Sequence, residues 1–126
     1  MWSSILGLAL AGVAASMLGG EDLVDPLDTD PDKYSLVFEN DRVRVLEYRD
    51  KPGEKTKRHH HHDFVLYALS SFERRLVLGD GRTLDRRLES GETIWMDAQS
   101  HIGENTGSTE THVLIVERLE PRPDGK

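Results

Sequence analysis

Four of the six histidines stand in one run, His59-His60-His61-His62, held between Arg58 and Asp63. On an extended strand the side chains at i and i+2 share a face, so His59 and His61 converge while His60 and His62 point the other way. Two imidazoles on one face are half of a metal site. The third donor, expected from another strand, is His101 in His101-Ile102-Gly103-Glu104-Asn105. Three neutral imidazoles suit one divalent transition metal, Fe, Zn, Cu, Ni or Mn, and leave coordination positions open for water, substrate or dioxygen. A one-residue slip of register would exchange the faces and bring in His60 and His62 instead. Asp63 offers a carboxylate if the chain bends after His61. The plain alternative to all of these is a solvated His-rich loop.

Tyr67 shares strand parity with His59 and His61 if the strand runs on without a bulge. That would aim its hydroxyl at a metal-bound substrate and make it the candidate catalytic group; core packing with a satisfied hydroxyl is the alternative. Asn105 either steadies a ligating histidine or forms a simple turn with Thr106 and Gly107. Trp95 and Phe64 read as core, and His112 as a surface or hydrogen-bonded strand histidine. Arg44 and Arg49 read as surface ion-pair partners, with a substrate carboxylate as the rival role. The chain has no cysteine, so any metal must be held by histidine, carboxylate or water. No nucleotide-binding glycine loop, Walker-type lysine or Ser-His-Asp arrangement is present.

The elements that must position these groups are short β runs between turn residues. Runs at 34–39 and 43–48 flank Asn40-Asp41, and Pro52-Gly53 marks the next break. A run at 64–69 follows the histidines. Runs at 73–78 and 83–89 flank Gly79-Asp80-Gly81, a strong hairpin signal. Ser90-Gly91 precedes a run at 93–96, and 111–118 is the last. Arg74-Arg75 and Arg86-Arg87 interrupt the apolar pattern, so those strands are expected to show one face to water. Seven or so short strands and no convincing amphipathic helix after Gly20 give an all-β sandwich or barrel.

The 126 residues suit one domain. Net charge is −7, and residues 21–32 alone hold six acids and no Lys or Arg, leaving −1 for the rest. No basic face that would draw a phosphate backbone is implied, which argues against nucleic acid as a partner. Residues 1–20 carry no charged side chain and are rich in Ala, Leu and Gly. They read as a secretory signal with a cleavage point at Val13-Ala14-Ala15, which would make the protein periplasmic or secreted. A membrane anchor, or a cytoplasmic protein with an extension, are the alternatives. Residues 21–33 read as an acidic linker, 34–120 as the folded domain and 121–126 as a tail.

Gly53, five residues, His59, one residue, His61 resembles the opening of the first motif of the cupin superfamily, G-x5-H-x-H-x3,4-E-x6-G. Gly91, and His101 followed after three residues by Asn105, resemble the two ends of the second motif, G-x5-P-x-G-x2-H-x3-N. Phe38–Val45, F-E-N-D-R-V-R-V, is similar to the start of small bacterial cupins, some described as β-alanine-degradation-type proteins. The family glutamate falls at Val65 or Leu66, Asp97 stands for Pro, Gln99 for Gly, and His101 arrives one residue early. The resemblance implies a single-domain double-stranded β-helix, or jelly-roll barrel, with His59, His61 and His101 as ligands. Three histidines and no carboxylate resemble cupin-like thiol and diketone-cleaving dioxygenases. The activity this resemblance implies is that of a mononuclear non-haem oxygenase on a small organic molecule, with Fe(II) as the favoured ion and Zn, Mn or Ni as alternatives. A non-catalytic binding or sensing cupin, or a non-redox metal-dependent lyase or isomerase, are the alternatives. A homodimer paired through edge strands is expected.

Overall fold

Alternation along β2 (Val43–Asp50) sends Arg44, Leu46, Tyr48 and Asp50 inward and leaves Val43, Val45, Glu47 and Arg49 on the outer face. Strand β9 (Thr111–Arg118) pairs with it antiparallel and in register, placing Arg44 opposite Glu117, Leu46 opposite Ile115, Tyr48 opposite Val113 and Asp50 opposite Thr111. The inner face is thus apolar at its middle and polar at both ends. In the computed structural model, which describes residues 23–119, these strands form the centre of a five-stranded antiparallel sheet. Its order is β1 (Tyr34–Glu39), β2, β9, β4 (Phe64–Ala68), β7 (Thr93–Met96). A second antiparallel sheet has the order β3 (His59–His61), β8 (Gln99–Asn105), β5 (Phe72–Leu78), β6 (Thr83–Leu88). The core lies between the two sheets, with Leu46, Phe64, Met96, Val113 and Ile115 from the first against Phe72, Leu76 and Leu88 from the second. Each such buried side chain contributes about 1.5–3 kcal/mol of transfer free energy.

The double-stranded β-helix expected from the sequence is the observed architecture. The turns sit where glycine is required: Gly53 and Gly81 have φ of +87° and +91°, a region a Cβ disfavours. The signal-like segment at 1–20 and the tail at 121–126 lie outside the described residues.

Several expectations need correction. Residues 25–33 do not run free in solvent. Asp25 caps a one-turn helix, α1 (Pro26–Thr29), through a 2.8 Å bond from the Leu27 amide. The helix sits against the barrel, because Asp25 also accepts from Arg44 at 2.7 Å and Asp30 from the Lys57 amide at 3.1 Å. The His60 amide donates to the Val24 carbonyl at 2.8 Å, so this lead-in covers the free edge of β3. Trp95 is not core; it lies on the outer face of the first sheet, 52 % exposed. Arg44 and Arg74 are buried on the inner face, whereas Arg49 and Arg75 are at the surface as expected. Among the described residues no helix is long and apolar enough to cross a membrane.

Candidate metal centre

Strand β3 is three residues long and brings His59 and His61 inward with 1 % exposure each, while His60 turns outward to Ser100 Oγ at 3.1 Å. Antiparallel pairing with β8 sets His59 directly opposite His101, which is also buried. The side-chain nitrogens of His59, His61 and His101 lie within 4.8 Å of one another. Their rings are 4.8, 4.9 and 5.2 Å apart, centroid to centroid.

The ring nitrogens that face away are all engaged. His59 Nδ1 donates to the Lys57 carbonyl at 2.9 Å, and His61 Nδ1 to Glu117 Oε2 at 2.5 Å. His101 Nδ1 meets Gln99 Oε1 at 2.8 Å, and the Gln99 amide is oriented by donation from Nε2 to the Asp97 carbonyl at 3.0 Å. With an acceptor opposite each Nδ1, that nitrogen carries the proton and Nε2 keeps its lone pair. Burial, followed by the mutual repulsion of the rings, holds His61 and His101 well below the usual histidine range, and burial lowers His59 too. Three neutral imidazoles, each steadied from behind, are a donor set for a divalent transition metal.

Glu117 is fully buried and also accepts from Arg44 Nε at 3.1 Å; burial pushes its carboxyl up while the Arg44 guanidinium opposes that shift. It supplies the carboxylate–histidine support that ligating histidines commonly have. Sequence reading missed it, although a glutamate on the inner parity of β9 beside Val113 and Ile115 was the available signal. Tyr34 was also missed. Its buried hydroxyl is 3.3 Å from His59 Nε2 and 3.5 Å from His61 Nε2, on the side of the rings that faces the cavity.

Tyr67 is not in the site. The chain crosses from one sheet to the other at His62-Asp63, which swaps parity, so Phe64 and Leu66 face the cavity and Tyr67 is 42 % exposed on the outside. Asp63 is absent from the site for a related reason, since it caps the crossing by accepting from the Ala98 amide at 2.7 Å and from Arg118 at 2.5 Å. Asn105 braces its turn, accepting from the Gly107 amide, and donates to Asp50 at 3.0 Å, away from the histidines. His112 is hydrogen-bonded to Glu47 at 2.6 Å.

The histidines form one wall of a narrow internal cavity of about 50 Å³, whose other walls are mostly apolar and include Phe72, Leu88 and Met96. Arg74 and Arg86 also line it. Val65 and Leu66 hold the place of the family glutamate, and the histidine cluster includes no carboxylate.

No family model matches the chain and no curated protein matches it. Solved structures do match. The chain is similar to a cupin domain from Bordetella pertussis Tohama I, with 25% identity over 69% of this chain and 92% of that one and a TM-score of 0.62. It is similar in fold to the polyketide cyclase RemF from Streptomyces resistomycificus (24% identity, 71% and 66% covered, TM-score 0.50). The same holds for a predicted oxalate decarboxylase from Thermotoga maritima (22% identity, 69% and 79% covered, TM-score 0.51). With the double-stranded β-helix shared over that length, and three inward histidines on the strands that carry the two motifs, the chain is a small cupin-superfamily protein.

Proposed function

We propose that His59, His61 and His101 hold one divalent transition metal, Fe(II) in the first place, and that the protein is a mononuclear oxygenase acting on a small organic molecule. The observation that carries this reading is the convergence of three neutral Nε2 atoms on an apolar cavity with no carboxylate among them. When bound, the metal would supply open positions for substrate and dioxygen together. The chain's own residues do the rest. Lys57, Glu117 and Gln99 fix the ring tautomers, and the apolar walls limit water. The Tyr34 hydroxyl, which burial holds well above the usual phenol range, stays protonated; it stands 3.3 Å from His59 Nε2, and with that lone pair committed to a metal its proton would be free for a bound molecule.

The test is metal analysis of the full chain purified without an affinity His tag, beside His101→Ala, followed by oxygen uptake with small organic substrates. Near-stoichiometric iron that is lost in the variant, with iron-dependent oxygen uptake, supports the oxygenase. Tight ligand binding without product would support a sensing module instead. A second reading, a non-redox lyase or isomerase, is favoured by the fold neighbours named as a polyketide cyclase and a predicted oxalate decarboxylase. It requires turnover with Zn or Mn in the absence of oxygen. Leu36, Val37 and Phe38, exposed along edge strand β1, support the homodimer expected from the sequence, which sedimentation would check.

A further inference from the structure

The cavity has a second polar wall that the metal reading does not use. Strand β6 alternates so that Leu84, Arg86 and Leu88 face inward, and Arg86 lies directly across from Arg74 on β5. Of the two guanidinium groups only one is compensated by hydrogen-bonding partners. Arg74 donates to Asp50 at 3.0 Å, to Thr111 Oγ1 at 3.3 Å and to Tyr48 at 3.3 Å. Arg86 Nε is buried and makes no hydrogen bond, and among the described residues no carboxylate pairs with Arg86. The nearest acids on these strands are engaged elsewhere, Asp85 with Arg75 at 2.8 Å and Glu73 with Arg87 at 3.9 Å. Arg86 lines both the histidine cavity and the outer groove beside Glu73, Asp85 and Thr106, so it stands between the site and solvent.

A buried guanidinium N–H without an acceptor is left with its desolvation uncompensated, and an anion entering the cavity would remove that cost. We propose that Arg86 anchors the carboxylate of the substrate, and that the substrate is a small acid with an apolar body. The body lies against Phe72, Leu88, Ile94 and Met96 and carries the reacting end toward the three histidines. The planar fork of one arginine matches a carboxylate bidentately. A phosphate dianion fits less well, because the second cation, Arg74, is already neutralised and the walls are apolar. The narrow cavity excludes large acids.

This inference rests on the metal reading for the direction of the substrate, but the anchor is testable without metal. Binding of acetate and propionate, each beside its neutral amide, is measured by calorimetry on metal-loaded and metal-free protein. The same titrations are run on Arg86→Gln, Arg86→Lys and His101→Ala. The acids bind the wild type and the amides do not. Arg86→Gln weakens acid binding at least tenfold with metal content and melting temperature unchanged, Arg86→Lys retains part of it, and His101→Ala loses metal but keeps the acid. Failure of the wild type to take any acid, equal binding of acids and amides, or unchanged binding in Arg86→Gln overturns the anchor. Unchanged metal content in His101→Ala would overturn the metal site alone and leave the anchor standing.

Discussion

Two polar clusters are buried at opposite ends of the same β2/β9 pair. At one end, Arg44 and Glu117 stand behind His61; at the other, Asp50 and Thr111 meet Arg74. The Arg74 cluster is closed. Asp50 accepts from Arg74, from the Tyr48 hydroxyl and from Asn105, and Arg74 also lies over the Tyr48 ring at 5.1 Å. It needs Gly103 as well, since a Cβ there would stand 2.5 Å from Arg74 Nη2. The histidine cluster is closed only from behind. Its Nδ1 atoms are all donating, while its Nε2 lone pairs face one another and a single tyrosine hydroxyl. A satisfied buried network specifies structure; a cluster with converging unused acceptors is arranged for something that is not protein.

That contrast can be broken by substitution. His101→Ala removes one of three donors and should abolish stoichiometric metal binding, read by metal analysis, while the barrel stays folded. Asp50→Ala should do the reverse. It leaves Arg74 buried without its counter-charge and costs about 3–5 kcal/mol in denaturant unfolding, with metal content per folded chain unchanged. Were Asp50→Ala to lose metal selectively, the two ends would have to be read as one site.

Glu117→Gln keeps an acceptor for His61 Nδ1 but removes the charge behind the ring, and metal affinity should fall about 10- to 100-fold by competition with a chelator. The pH dependence of the metal-free protein sharpens the contrast further. Burial lowers all three histidines in the fold, whereas the unfolded chain takes up protons near the ordinary value of 6.5. Stability is therefore full above about pH 6.5 and is lost as pH falls from there through the depressed values, by at most about 1.4 kcal/mol per histidine per pH unit. Thermal melts between pH 8 and 5 would show this slope, and His59→Ala should flatten it. Tyr67→Phe, on the outer face, should change neither metal content nor affinity.

The strands and the three histidines were legible in the sequence because period-2 alternation and turn chemistry are local. Parity pairs His59 with His61, the Gly53 spacing selects that pair over His60 and His62, and Pro52-Gly53 and Gly79-Asp80-Gly81 mark turns by residue type. What was not legible depends on where the chain changes sheets. Parity counted through His62-Asp63 puts Tyr67 inside, and the crossing there reverses the count. Trp95 reads as core by size, but the parity of β7 puts it outside. Arg44 reads as a surface ion-pair partner because charge suggests surface, and Glu117 carries no signal of its own beyond its parity on β9; only their cross-strand pairing shows that each makes the other's burial tolerable. Tyr34 opens a strand and carries no local signal of its approach to histidines 25 and 27 residues away.

The run of four histidines has a consequence for how the site tolerates error. A one-residue slip of β3 against β8 would still present two imidazoles to the cavity, His60 and His62 in place of His59 and His61. Donor identity is thus redundant across the slip, and it cannot be what selects the frame. The supporting acceptors are not redundant: the Lys57 carbonyl and Glu117 fit the Nδ1 atoms of His59 and His61, and the Val24 carbonyl locks the His60 amide. The frame of this site is written in the groups that hold its donors, and a misaligned copy would keep its nitrogens but lose their aim.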